Sequence, residues 1–533
     1  MTESRAVSRR RALGLIAGAA ATGVLAGCSA GSNGGSSRGT STPTNHPSGT
    51  PTTGPGTHPT SADWRDLDHL LRGQLHRPGD ATYDRVRLLF DPRFDQIHPR
   101  AVAEVTDGRD VAECIAFARR YRLPLAIRSG GHSYLGASTG TGLVIDLRPI
   151  AAVTVDPAAG TATIGGGAAL VDVYSALAAK GVSIPAGSCP TVGISGLTLG
   201  GGVGVVARRY GLTSDRLVEA EVVTADGQVR TCHARAHPDL FWAIRGGGGS
   251  FGILTSLTFA THPIRVLTHA YLTWPWHAAG ALLSAWQRWA PAAPASLWSG
   301  TRLLATDTGA GPTAALVAVM VDSVAALDHA IDGLVATVPT APSTRYVRSA
   351  GYEDTMMLEA GCAQLSTTAC HVAAETPGGT LPREAFIAGS DFFAAEIPAS
   401  GISALLTAIE ARQRDPRLGA GGAAFDVLGG AIDAIGGDAT AWAHRGALFN
   451  AQYTASWGDR ATNRPLDRNR RSLTAIHHTL RPYATGGAYV NYADATLRNP
   501  PAAYWGTNLS RLREVRRTYD PHGVFTQPQG VPL

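Results

Sequence analysis

Two reactive side chains stand where packing alone would not put them. His132 sits in "IRSGGHSY" (Ile127 to Tyr134), on a turn made of two glycines and a serine, and Cys189 sits in a second turn between Gly187 and Pro190. A structural cysteine favours an apolar strand or helix, so a thiol in a Gly/Pro turn points to thiolate chemistry. The competing reading is a free thiol and a loop histidine with its hydrogen bonds satisfied, and the residues alone leave both open.

Both side chains belong to Gly-rich loops. Three such loops, at 128–134, 187–204 and 245–252, fall in one stretch of chain. Gly-rich turns expose successive N–H groups, which form anion nests, and they let a ligand approach closer than a Cβ would allow. Three of them imply a ligand with a long pyrophosphate body.

Other readings of these glycines fail on context. Gly202, Gly204 and Ala207 match the dinucleotide fingerprint GxGxxG/A, but that fingerprint follows a hydrophobic strand and opens a helix near the start of a βαβ unit, and "ISGLTLGG" lies deep in the domain. Ser250 in "GGSFG" matches a nucleophile elbow, which must lead into a helix; "ILTSLTF" after it is strand-like. His132, His233, His237, His444, His477 and His478 are available to a metal, without an HExxH motif, paired carboxylates or a Cys/His cluster, so none is expected.

Around the loops the chain alternates. Asp110 can cap a helix whose apolar residues Val111, Cys114, Ile115 and Ala118 keep helical spacing; "LPLAIR" and "GLVIDL" then read as strands. "VTVDPAAGTATI" gives two more, a helix runs from about Leu170 to Lys180 and stops at Gly181, and a hairpin turns at Asp226 and Gly227. Residues 95–265 therefore read as one α+β domain. From 266 to 480, strands such as "LTHAYLTW" and "AALVAVMVD" alternate with helical "AGALLSAWQRWA" and "ISALLTAIEARQR", a second α+β domain. Most of Trp276, Trp286, Trp289, Trp442 and Trp457 are expected in its core rather than stacked on substrate. Residues 481–533, rich in Gly, Tyr and Asn, are expected to complete a site. Cys362 and Cys370 fit either a local disulfide or two free thiols.

The net charge of +5 is modest for 533 residues and forms no basic stripe in the folded part, which argues against a nucleic-acid partner. At the N-terminus, Ser8, Arg9 and Arg10 precede a short apolar run and Cys28, as in a twin-arginine export signal read by its translocase. The run is shorter than the roughly 20 residues of a membrane-spanning helix. Leu25 to Cys28 resembles a bacterial lipobox, which makes a lipid on Cys28 the expected membrane tether; plain cleavage is the alternative. Residues 29–61, almost all Ser, Gly, Thr and Pro, read as a flexible linker.

"IRSGGHSY", "GSCPTVGISGLTLGGGVG", "DLFWAIRGGGGSFGI", "YVNYAD" and the terminal "YWGTNLSRLREVRRTYDPHGVF" together resemble the flavoprotein oxidases of the berberine bridge enzyme type. The match runs in order from about residue 90 to the end, and is most similar to bacterial and fungal members that oxidise oligosaccharides or glycosylated metabolites. The resemblance implies an α+β fold: a two-subdomain FAD-binding domain of the PCMH type in the vanillyl-alcohol oxidase superfamily, then a substrate domain with an antiparallel sheet covered by helices. It implies FAD bonded twice, from His132 to the 8α carbon and from Cys189 to C6 of the flavin. Further cofactor contacts are expected from Arg128, Ser129, Gly130, Gly131 and Ser133, from Gly187, Val192, Gly193, Gly196, Gly202 and Gly204, and from Gly252, Ile253 and Asn491.

Two bonds hold the flavin without enclosing it, which suits a wide cleft and prevents FAD loss outside the cell. Oxidising an alcohol needs a hydride acceptor and a base for the hydroxyl proton. The resemblance points to Tyr492 as that base. Its unperturbed pKa of about 10 requires help, with Tyr134 and Tyr489 as candidate helpers. If "YVNY" is an extended strand, Tyr489 and Tyr492 point to opposite faces and only one meets the flavin. Members that form C–C bonds use a glutamate base; "GGAAFDVLGGAID" has no equivalent, and a helper role for Asp426 is doubtful. Val192 resembles members that admit dioxygen, so the expected activity is an exported oxidase acting on CH–OH and releasing peroxide. Flavin-dependent cyclisation and a non-catalytic glycan-binding lipoprotein are the alternatives.

Overall fold

Strand β1 (Gln74–His76), β2 (Ala101–Glu104), β3 (Leu125–Arg128) and β4 (Leu143–Asp146) form a sheet in the order β1-β2-β4-β3. Both β2 and β3 run parallel to β4, which requires a crossover, and the helix Gly108–Tyr121 supplies it. The computed structural model describes residues 58–263, 266–307, 310–457 and 463–533, with the side chains of 463–465 left aside. The expected export signal, Cys28 and nearly all of the linker lie outside the described residues.

The crossover helix buries Val111, Cys114, Ile115 and Ala118 as their spacing predicts. Its cap is Asp107 rather than Asp110: the Asp107 carboxylate accepts the N–H groups of Arg109 and Asp110. Asp110 is drawn inside because its carboxylate accepts the N–H groups of Arg72 and Gly73, at 2.9 and 3.1 Å, fastening the lead into β1. The β3–β4 register sets Arg128 opposite Asp146, and the two form a buried ion pair at 3.3 Å.

Next come β5 (Val153–Asp156) and β6 (Thr161–Gly165), followed by the helix Leu170–Ala178 and β7 (Val182–Ser183). With β8 (Leu217–Val223), β9 (Val229–His233) and β10 (Ile253–Ala260), the first two make an antiparallel sheet ordered β5-β6-β10-β8-β9, while β7 pairs with β11 (His262–Pro263). The β8–β9 hairpin turns at Asp226 and Gly227 as expected.

The second half is built on β12 (Val266–Trp274), β13 (Leu297–Ala305), β14 (Thr313–Met320), β15 (Thr344–Gly351), β16 (Phe386–Phe393), β17 (Gly421–Val427) and β18 (Phe449–Ser456). They form one antiparallel sheet ordered β15-β12-β14-β13-β17-β18-β16. Helices Ala279–Ala292, Val324–Val335, Ala399–Gln413 and Asn463–Leu480 pack on it. The two-residue strand period sorts the side chains. On β13, Ser299 accepts the indole N–H of Trp286 from the helix side, while Gly300 and Arg302 belong to the opposite face, as do Asp426 of β17 and Gln452 of β18. That face turns toward the first domain. Trp286 and Trp442 are fully buried, and Trp276 and Trp289 donate to Glu410 and to the Ala330 carbonyl, so these four serve packing. The overall architecture is the α+β fold that the resemblance implies.

Candidate active site

The three Gly-rich loops converge on one cleft of about 430 Å³ between the two halves, closed at one end by residues 489–493 and at the other by Phe525, Thr526 and Gln527. Loop one leaves the end of β3. Ser129 donates to the Gly166 carbonyl at 2.7 Å, and Gly130 packs so tightly on loop two that a Cβ would strike the Gly193 nitrogen and the Thr191 carbonyl. Gly131 has φ +74°, where a side chain is strained. This geometry turns the chain sharply and throws the next residue, His132, into the cleft.

The His132 ring stacks on Phe90 with centroids 4.3 Å apart. Its Nε2 lies 2.8 Å from the Thr191 hydroxyl, and Nδ1 has no hydrogen-bond partner among the described residues. Burial pushes the imidazole pKa down to about 4, so the ring is neutral at neutral pH, and in the tautomer whose Nε2–H donates to Thr191 the lone pair of Nδ1 is free. Cys189 is exposed on the cleft wall. Its surroundings still desolvate a charge: they push the thiol up to about 11, against the N–H groups of Thr191 and Val192, which favour the thiolate. Val192 is half-buried beside it, and the disulfide Cys362–Cys370 packs with Val171 behind this loop.

Loop three contributes Gly248, Gly249 and Gly252 to the cleft, with Ile253 at the start of β10. Ser250 is buried, accepts the Val531 N–H at 3.2 Å and precedes a strand, so it is no nucleophile elbow. Of the residues expected to meet a cofactor, Arg128, Gly202 and Gly204 do not line the cleft. Arg128 is spent on Asp146 and on the carbonyls of Val86, Arg87 and Ser138. Gly204 packs on the Ala186 carbonyl, and Gly202 gives its N–H to Tyr489 at 3.0 Å. All three support the loops from behind.

The segment carrying Tyr489 and Tyr492 is a 3₁₀ turn, Val490–Tyr492, and not the extended strand expected from its sequence. The edge strand β16 runs beside it, but the Tyr489 N–H goes to the Ser390 hydroxyl rather than to that strand's backbone, and the Tyr492 N–H goes to the Tyr489 carbonyl. Both rings consequently reach the cleft, edge to face at 4.8 Å. The Tyr489 hydroxyl is occupied, accepting N–H groups from Gly202, Val203 and Asn491. The Tyr492 hydroxyl has no hydrogen-bond partner among the described residues, and its ring lies parallel to that of Tyr134 at 6.3 Å. Gln452 donates to the Tyr134 hydroxyl at 3.0 Å.

Electrostatically, Tyr492 is a phenol held well above its usual pKa, first by burial and then by the negative charge of Asp426, with Arg302 opposing. The charge of Asp426 therefore disfavours the Tyr492 phenolate and gives it no assistance as a base. Asp426 is ion-paired with Arg302 at 2.8 Å, and Gly300 is required beside them, because a Cβ there would run into both side chains. Sequence reasoning passed over Arg302, Gln452, Gln527 and Thr191. Thr191 stood inside the "CPTV" motif, and only its bond to His132 reveals its use.

A further carboxylate lies behind the thiol. Burial, with Asp91 nearby, pushes the Glu384 carboxyl up to about 8. A carboxyl whose folded pKa is raised stabilises the fold fully below its unfolded value, about 4.3, and that stability is lost as pH rises through 8. Glu384→Gln should therefore leave the melting temperature unchanged near pH 4 and raise it by a few degrees near pH 9, on the order expected for a domain of this size. Thermal melts across pH check this; equal effects at both ends would rule it out.

Comparisons with known proteins agree with the geometry. Residues 99–233 match the family described as FAD binding domain, and residues 488–532 match the family described as berberine and berberine like. The chain is 32% identical over 476 residues to the uncharacterized FAD-linked oxidoreductase YgaK of Bacillus subtilis (strain 168), covering 87% of this chain and 97% of that one. It is 29% identical to berberine bridge enzyme-like Cyn d 4 of Cynodon dactylon, covering 85% and 87%. Among solved structures, BBE-like 1 of Physcomitrella patens superposes with a TM-score of 0.79 at 28% identity, over 88% of this chain and 99% of that one. Glycine loops that shape one cleft, an N-terminal half that matches a FAD-binding family and a C-terminal segment that closes the cleft lead to one assignment: the chain belongs to the berberine bridge enzyme-like family of FAD-linked oxidoreductases.

Proposed function

We propose that the protein is an exported oxidase whose FAD is held covalently by His132 and Cys189. It takes hydride from an alcohol carbon of a sugar, oligosaccharide or glycosylated metabolite and delivers the electrons to dioxygen, giving hydrogen peroxide. The observation that carries this reading is the meeting, on one cleft, of an imidazole nitrogen without a partner, an accessible thiol and a phenol whose hydroxyl has no partner among the described residues.

FAD fits the residues present. The wall is backbone at Gly130, Gly131, Gly193, Gly200, Gly249 and Gly252, so main-chain N–H groups can face phosphates that side chains would block. His132 and Cys189 stand on separate loops, and two attachment points leave the rest of the cleft open to a bulky substrate. When bound, FAD supplies the hydride acceptor and the route to dioxygen. Val192, half-buried beside Cys189, has the size found in the dioxygen-using members that the sequence resembles.

The chain's own groups supply binding and proton chemistry. Tyr134, oriented by Gln452, presents its hydroxyl to the substrate alcohol, and Tyr492, in its phenolate form, takes the alcohol proton and becomes a phenol. The high proton affinity of Tyr492 makes its phenolate scarce and strongly basic, and Arg302 supplies the opposing charge that favours it. C–C bond formation is the weaker reading, because the carboxylate on this face of the sheet, Asp426, is committed to Arg302 rather than free as a base. Export by the twin-arginine route and acylation of Cys28 complete the proposal: a covalently held cofactor survives where none can be rebound.

The test is an anaerobic screen of mono- and oligosaccharides, monitored by flavin absorbance. At least one sugar should bleach the flavin, and admitting air should restore the colour with one peroxide per cycle. A flavin that stays oxidised in every sugar while binding them would instead support a glycan-binding lipoprotein.

A further inference from the structure

Residues 489–494 are fastened at nearly every point. Besides the bonds of Tyr489, the Asn491 amide donates to the Leu197 carbonyl at 3.0 Å. The Asp494 N–H goes to the Tyr504 hydroxyl, its carbonyl accepts from Gln529 at 2.7 Å, and one carboxylate oxygen accepts from Thr496. Tyr492 is the polar side chain left free. The second Asp494 oxygen points elsewhere.

That oxygen, Oδ2, lies 3.5 Å from His477 Nδ1, and His477 Nε2 lies 2.8 Å from Asp391 Oδ2. His477 and Asp494 are each 3% exposed and Asp391 4%. Tyr453 stacks on the imidazole at 4.6 Å and donates its hydroxyl to the same Asp391 oxygen at 3.2 Å. Arg93 and Arg470 face the group across a small cavity of about 160 Å³, which Tyr134 and Ala493 also line. The contacts on His477 are charge contacts rather than aligned hydrogen bonds.

Strand β16 organises this cluster. Gly389 leaves the space, since a Cβ there would crowd Asp494 Oδ2 at 2.9 Å and His477 Nδ1 at 3.3 Å. Ser390 holds the N–H of Tyr489, the first residue of the turn. Asp391, on the opposite face, holds His477 and through it Asp494, the last. The imidazole thus stands between two buried carboxylates, one on β16 and one at the end of the turn, and ties the two elements together.

We propose that His477 is a positioning residue: set between Asp391 and Asp494, it fixes the far end of the 489–494 turn and so the place of Tyr492 at the cleft. This rests on the reading of Tyr492 as the proton acceptor. No other role of the cluster is needed for it to matter, because a displacement of about 1 Å at a reacting group can cost a hundredfold in rate.

The test compares the flavin-loaded full chain with its His477→Gln and Asp391→Asn variants. Both should keep their flavin, and a sugar that bleaches the wild type should reduce them about 10- to 100-fold more slowly at saturation, with an unchanged half-saturating concentration. In a Tyr492→Phe background the same changes should have no further effect. Wild-type rates in the single variants, or an equal loss in the Tyr492→Phe background, would overturn the proposal. A crystal structure of the flavin-loaded His477→Gln variant gives a reading that needs no substrate: a displaced 489–494 turn supports the clamp, and a turn in its wild-type place rejects it. If no sugar bleaches the wild type, the functional proposal fails while the structural reading still decides this one.

Discussion

Tyr492→Phe should keep its flavin and lose most of its turnover, with the rate of flavin reduction falling at least ~100-fold, as removal of a general base does. The ring can be retained because it packs edge to face on Tyr489 and parallel to Tyr134, contacts that phenylalanine reproduces. Only the hydroxyl is missing, and that hydroxyl has no structural partner among the described residues. A pH signature separates this from a general loss of fit. The phenol is held well above its usual pKa by burial and Asp426, so its deprotonated fraction, and with it the wild-type reduction rate, should climb from about pH 6 to about pH 10. The variant's residual rate should be flat over that range. Stopped-flow reduction across pH makes the comparison; near-normal reduction, or a variant that keeps the wild-type slope, removes Tyr492 from the role.

Replacing His132 and Cys189 together by alanine should convert a flavin that stays with the chain after acid precipitation into one found wholly in the supernatant. Either single replacement should leave most of it attached, because one bond suffices against acid. The two sites differ in how they are prepared. His132 is neutral, with Nε2 engaged by Thr191 and Nδ1 open, so it is ready at neutral pH. The Cys189 thiol, pushed up to about 11, is mostly protonated there, and attachment through it should be the slower of the two and quicken at higher pH. Loss of all flavin from either single variant would contradict two independent tethers.

Much of this site was legible in the sequence because glycine and turn chemistry are local. A histidine on "SGGHS" and a cysteine on "GSCP" announce exposed reactive groups wherever the chain later goes, and the three glycine loops do line one cleft. What the sequence hides is set by partners distant in the chain. Asp110 looked like a cap until Arg72 and Gly73 drew its carboxylate inward. "YVNY" reads as a strand by alternation, yet the side chain of Ser390, some hundred residues earlier on β16, takes the N–H that the strand's backbone would have bonded. Arg128 and Gly202 looked like ligand contacts, and pairings with Asp146 and Tyr489 show them to be supports. Asp426 had no clear role because either it or Leu428 stands where some relatives carry an assisting residue; its partner, Arg302, lies on the adjacent strand and far off in sequence. His477 was one of five histidines left without a role until Asp391 and Asp494 closed around it.

The most direct test of the account is a protease digest of the acid-denatured wild-type protein, analysed by mass. The account predicts one flavin-bearing species that joins the peptide containing His132 to the peptide containing Cys189. Unmodified peptides at both positions, with FAD free in the supernatant, would contradict it.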